Sequence, residues 1–181
     1  MLLAAALLLP AAPPASIDFG SVELGDAATH RLAIPALAVT ASGAGFSAAR
    51  SAGGVLVVFE PYELHERADG TLTVQTRSGL VRIALHGRGI DTLRPNVTVA
   101  TPRGVGVGRM LTIRFTASDN DLVRTCTLEV AGRVIARLPW PASRYRWRVP
   151  SGLGAHARIT VVALDRAGNR GSATSRTFTI H

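Results

Sequence analysis

Apolar and polar residues take turns along short stretches of this chain, and no window of 12 residues keeps the 3.6-residue spacing of an amphipathic helix. Leu111, Ile113, Phe115 and Ala117 alternate with Thr112, Arg114 and Thr116; Leu72 and Val74 alternate with Thr71, Thr73 and Gln75. Val81, Ile83 and Leu85 are set off from Arg82 and Ala84 in the same way. A period of two puts one set of side chains on a buried face and the other in water, as in an antiparallel sheet. Such runs recur every 8–14 residues, punctuated by glycine and proline, which predicts a sandwich or barrel. In the first half the strands fall at Ile17–Phe19, Thr29–Ile34, Val55–Phe59, Thr71–Thr76 and Leu80–His86. Asp69-Gly70 reads as a tight turn into the fourth of these, and Ser78-Gly79 as the hairpin turn out of it. The second half gives seven, lettered in sandwich order: Val97–Ala100 (A), Leu111–Ala117 (B), Arg124–Val130 (C), Val134–Leu138 (D), Tyr145–Val149 (E), Arg158–Leu164 (F) and Ser175–Ile180 (G). Ala131-Gly132 forms a tight C–D turn.

The halves meet near Gly87-Arg88-Gly89-Ile90-Asp91-Thr92-Leu93-Arg94-Pro95, where a strand ends in glycines and a proline opens the next segment. Charge divides at the same place. Residues 16–91 hold six arginines against eight carboxylates, residues 92–181 hold 14 against four, and the whole chain is +8. All 20 Lys+Arg positions are arginine, which beside abundant alanine, glycine and proline suggests a GC-rich coding bias. With 181 residues, 47% of them hydrophobic, the chain has material for two small cores. The expected fold is all-β: two immunoglobulin-like β-sandwiches in tandem, at 16–91 and 92–181. The apolar run Met1–Pro10 is too short to span a membrane and has the length of a signal-peptide core, so residues 1–15 read as a signal peptide, with no arginine before the run and no clean small-x-small site after it; the alternative is an apolar tail without a targeting role.

Particular motifs add to this. Asp18-Phe19-Gly20-Ser21-Val22, Leu24-Gly25, Gly43-Ala44-Gly45-Phe46, Val57-Val58-Phe59-Glu60-Pro61, Leu72-Thr73-Val74 and Leu85-His86-Gly87-Arg88-Gly89 follow one another in an order that resembles the Hydin-type (ASH) immunoglobulin-like module. Pro35-Ala36-Leu37-Ala38 stands where that family usually has an Asn-x-Gly turn. In the second half, Ala117-Ser118-Asp119 and Ala163-Leu164-Asp165-Arg166-Ala167-Gly168-Asn169 resemble signatures of bacterial Ig-like repeats of cell-surface and secreted proteins. Those resemblances imply scaffolding, spacer or adhesive modules without catalytic residues.

Strand parity predicts one chemically distinctive surface. With A, B, E and D in one sheet, Arg114, Arg133, Arg137, Arg144, Arg146 and Arg148 line its outer face, while Thr125, Thr127, Glu129, Thr160, Thr177 and Thr179 cover the other sheet. Like charges on one face repel, and a partner with regularly spaced anions relieves that repulsion and releases counterions. The competing reading is a solvated strand face in an arginine-biased chain. Trp140, between Pro139 and Pro141, either stacks on a sugar ring or packs at the edge of the core.

Enzymatic signatures do not emerge. The chain has no G-x-S-x-G, Walker loop or H-E-x-x-H, and Gly104-Val105-Gly106-Val107-Gly108 lacks the lysine and helix of a phosphate loop. The five histidines show no metal-ligand spacing, and His86 reads as a surface residue. Cys126 shares parity with Leu128 and Val130 and reads as a small buried hydrophobe. No metal site or cofactor is assigned. The B–C and F–G loops lie at one end of a sandwich, so Asp119, Asp121, Asp165 and Asn169 are candidates for Ca²⁺, although turns require the same residue types. The expectation is a secreted or cell-envelope bacterial protein, not an enzyme, working in surface binding, adhesion or scaffolding. Its partner would be an envelope polymer or another surface protein. The alternative is carbohydrate or polyanion recognition through the arginine face, with nucleic acid last among those polyanions.

Overall fold

A computed structural model describes residues 12–181; most of the expected signal segment at 1–15 lies outside the described residues. Among the described residues every regular element is a strand, and no helix is long and apolar enough to cross a membrane. The chain divides into two compact units, Met1–Ile90 and Asp91–His181, so Asp91 belongs to the second.

The first unit holds β1 (Ser16–Glu23), β2 (Ala28–Leu32), β3 (Ala38–Ser42), β4 (Phe46–Ser51), β5 (Gly54–Phe59), β6 (His65–Thr76) and β7 (Gly79–Ile90). They form two sheets, β1-β7-β6-β3 and β2-β5-β4, with β1 parallel to β7 and the other pairs antiparallel. Val55, Val57 and Phe59 from one sheet meet Leu72, Val74, Ile83 and Leu85 from the other, all fully buried. Phe46 stacks on Phe59 with ring centroids 4.6 Å apart.

Asp69-Gly70 is not a turn. Both residues lie inside β6, opposite His86 and Leu85. The glycine is needed because a Cβ there would meet Ser42 O at 2.3 Å and the Phe46 ring at 2.7 Å, so it marks a close approach rather than a bend. The hairpin out of β6 turns on Arg77-Ser78, one residue earlier than predicted, and pairs Thr76 with Gly79.

The second unit holds β8 (Asn96–Val99), β9 (Gly104–Val105), β10 (Met110–Ser118), β11 (Val123–Val130), β12 (Arg133–Pro139), β13 (Arg144–Arg148), β14 (His156–Ala157), β15 (Ile159–Asp165), β16 (Arg170–Thr174) and β17 (Phe178–Ile180). Its sheets are β13-β10-β8, β12-β11-β15-β16 and a small β14-β17-β9. Ile113, Cys126, Leu128, Val130, Val149, Ile159, Val161 and Ala163 form the centre of its core. Both units are immunoglobulin-like β-sandwiches, and the protein is all-β.

Two strands lie elsewhere than the sequence predicts. Strand D (β12) pairs with C (β11), not with A, B and E. The reason is the two-residue turn itself: Ala131 (φ 49°) and Gly132 (φ 76°) both lie in the left-handed region, as in a type I′ hairpin, which makes its flanking strands hydrogen-bonded neighbours. The strand beside F (β15) is β16, not Ser175–Ile180; Phe178 and Ile180 enter the core from the small sheet instead. Thr177 and Thr179 therefore leave the face on which they were placed.

Candidate functional site

Arg114 on β10 lies opposite Arg144 on β13, Thr112 opposite Arg146, and Met110 opposite Arg148. The alternate residues Leu111, Ile113 and Trp147 are buried and Tyr145 packs against the core, so Arg114, Arg144, Arg146 and Arg148 share the outer face and are exposed. Strands β8, β10 and β13 contain no carboxylate, and among the described residues no ion pair joins these four arginines. Arg148 donates from Nε to the Gly108 carbonyl at 3.1 Å. Arg133 and Arg137 are exposed too, but on β12 in the other sheet, where Arg137 faces Thr127. The face thus has four arginines rather than six. Repulsion between neighbouring guanidinium groups in water is of order 1 kcal/mol and falls with salt, small enough for the face to persist without counter-charges.

A second constellation is acidic. The register sets Ser118 opposite Asn96 and Val123 opposite Asp165, so the loop after β10, the end of β15 and the segment entering β8 meet at one end of the unit. One carboxylate oxygen each from Asp91, Asp119 and Asp165 lies within 4.8 Å of the others. Asp165 is 1% exposed and Asp91 7%. Asp165 Oδ1 accepts from the backbone N–H groups of Gly168 at 2.6 Å and Asn169 at 2.7 Å, which ties down the turn predicted from Asp165-Arg166-Ala167-Gly168-Asn169. Asp91 Oδ1 accepts from Leu93 N at 3.0 Å, and Asn120 donates to the same carboxylate. Asn169 Nδ2 donates to the Asp91 carbonyl at 3.0 Å, so Asn169 positions the cluster. The Oδ2 atoms of Asp91, Asp119, Asp121 and Asp165 are all buried without a hydrogen-bond partner. Desolvation pushes the Asp91 and Asp119 carboxyls up from the usual range, with the neighbouring aspartates adding to the effect. Asp121 pairs with Arg166 at 3.8 Å.

The sequence singled out Asp119, Asp121, Asp165 and Asn169 but not Asp91, which reads there as linker. Its signal was distance along the chain: it lies a few residues before the strand that pairs with the end of β10.

Trp140 is half-buried and packs against the second core. Cys126 is fully buried, and burial pushes its thiol pKa up. His86 is half-buried on β7, its Nδ1 2.6 Å from Asp69 Oδ1, and Arg67 Nε donates to the same oxygen at 2.8 Å. Those two partners hold the Asp69 carboxyl below its usual range.

No protein-family model matches the chain, and no curated protein sequence does either. Among solved structures it is similar to the fibronectin(III)-like modules of Clostridium thermocellum CbhA, at 16% identity over 94% of this chain and 92% of that one, with TM-score 0.46. It is also similar to the titin domains Z1Z2 in complex with telethonin, at 12% identity, 91% and 92% coverage and TM-score 0.44. Extracellular domains 3–5 of Drosophila OTK match at 9% identity, over 92% of this chain and 60% of that one, with TM-score 0.46.

Proposed function

We propose that this is a secreted or cell-envelope protein, without enzymatic activity, that holds an anionic envelope polymer on the β13-β10-β8 face of its second module. The observation that carries the reading is the row of Arg144, Arg146 and Arg148, with Arg114 beside it, on strands free of carboxylates. A polymer with repeated anions touches several guanidinium groups at once and frees the counterions of both partners, so weak single contacts add up. The motif order of residues 16–91 supports a Hydin-type scaffolding role for the first module. The A-x-D and D-x-A-G-N signatures support a bacterial Ig-like role for the second.

Retention on an immobilised polyanion such as heparin or polyphosphate, eluted by salt, tests the site. Wild type is expected to elute late and the Arg144→Ser/Arg146→Ser/Arg148→Ser variant clearly earlier, while Arg133→Ser/Arg137→Ser, altered on the other sheet, stays closer to wild type. Co-elution of the triple variant with wild type would overturn the proposal. Mass spectrometry of exported protein tests the compartment through the presence and N-terminus of the chain.

A further inference from the structure

We propose that Asp91, Asp119 and Asp165, which converge at one end of the second module with Asp121 in the same loop as Asp119, form a calcium site. The turn explains only half of what these residues present. Asp165 and Asp91 each spend Oδ1 on backbone amides, whereas Oδ2 of each stays buried and unpartnered on a side chain more than nine-tenths buried. A buried carboxylate oxygen without a donor is costly unless a cation or a hydrogen bond satisfies it. The carboxylates of Asp91, Asp119 and Asp165 converge, and each leaves such an atom.

Charge makes the same point. The unit Asp91–His181 contains 14 arginines and five carboxylates, and four of those five are these aspartates. Arginine is abundant, yet among the described residues only Arg166 makes an ion pair near the group, at 3.8 Å from Asp121 and on an exposed side chain. Asp91, Asp119 and Asp165 have no salt bridge among the described residues. A chain that gathers its few acids together, away from its many bases, leaves their charge for something else to balance.

The donor set is hard oxygen throughout, which suits Ca²⁺ or Mg²⁺ rather than a thiophilic metal. Calcium binds oxygens at about 2.3–2.6 Å in a sphere about 5 Å across and tolerates irregular geometry. Oxygens lying within 4.8 Å of one another fit inside that sphere. Magnesium demands a tighter octahedron and keeps more water, which a largely buried set of carboxylates accommodates poorly. Because the ligands come from the segment before β8, the loop after β10 and the end of β15, the ion would tie three separate stretches together.

Calorimetric titration with CaCl₂ and thermal melting of the full chain, in EGTA and in millimolar Ca²⁺, test this. Calcium is expected to bind with measurable heat and to raise the melting transition of wild type by at least about 5 °C when it is roughly a hundredfold above its dissociation constant. Mg²⁺ at the same concentration should do much less. Asp119→Asn, which leaves the Asp165 turn intact, should lose most of the calcium response yet melt no lower than wild type in EGTA, because it removes a repelling charge. That reversal distinguishes a ligand from a merely structural residue. Asp165→Asn should also lose the response and serves as a second variant if folded. An absence of both heat and melting shift in wild type, an equal response to magnesium, or an undiminished calcium response in Asp119→Asn would overturn the proposal.

Discussion

The two oxygens of Asp165 differ: Oδ1 fastens a turn, and Oδ2 is buried without a hydrogen-bond partner. The turn is legible in sequence because D-x-A-G-N names it, and the shared end of the B–C and F–G loops brings in Asp119; the approach of Asp91, 78 positions before Asn169, is not legible, because it depends on tertiary packing. Other single residues carry comparable local logic. A Cβ at Gly87 would lie 2.5 Å from the Phe59 ring, so Gly87→Ala is expected to cost about 1–3 kcal/mol by overpacking, measured by urea denaturation. Near-wild-type stability would mean that the ring has room to move. Cys126 reads correctly from parity as a buried hydrophobe; its thiol should react with a disulfide reagent only as fast as the sandwich opens, and immediate labelling of native protein would contradict this. Asp69 has a lowered folded pKa, so its bonds to Arg67 and His86 stabilise the fold above its unfolded pKa and are lost as pH falls through the folded value. The acid loss of stability should therefore be somewhat shallower in Asp69→Asn than in wild type. Exposure keeps that difference small.

At the level of elements, alternation fails where side chains are small. Strands β3 (Ala-Val-Thr-Ala-Ser) and β4 (Phe-Ser-Ala-Ala-Arg-Ser) give almost no periodic signal and were not predicted; they owe their form to pairing with β6 and β5. β16, with Gly171 and Ala173 at its inward positions, is likewise quiet, and the louder Phe178 and Ile180 drew the assignment of strand G away from it. Strand D shows a different failure. The Ala131-Gly132 turn is legible in sequence, and so short a loop forces C and D to lie side by side, against the usual A-B-E-D order. Ala131 occupies a left-handed position that asparagine tolerates better, so Ala131→Asn should stabilise the protein by up to about 1 kcal/mol in a denaturation curve. A loss of stability would show that the turn has other requirements.

Across the whole molecule, charge is distributed very unevenly. The unit Asp91–His181 carries 14 arginines and five carboxylates, the rest of the chain six and seven. Self-repulsion in so basic a unit weakens the compact state, and salt screens it. Both tryptophans, Trp140 and Trp147, lie in this unit, so urea unfolding followed by their fluorescence should shift to higher urea as ionic strength rises from low to physiological. Indifference to salt would mean that local pairing has already absorbed the charge.

Moving β12 to the four-stranded sheet leaves β13 as the margin of its own sheet, with its outward N–H and C=O groups ready to accept another strand. A second copy docking at that rim would bring the alternate arginines of β13 against like charges, which opposes self-association. Stripping them should thus do more than weaken polymer retention: it should favour edge-to-edge dimers, visible as a concentration-dependent rise in scattered light.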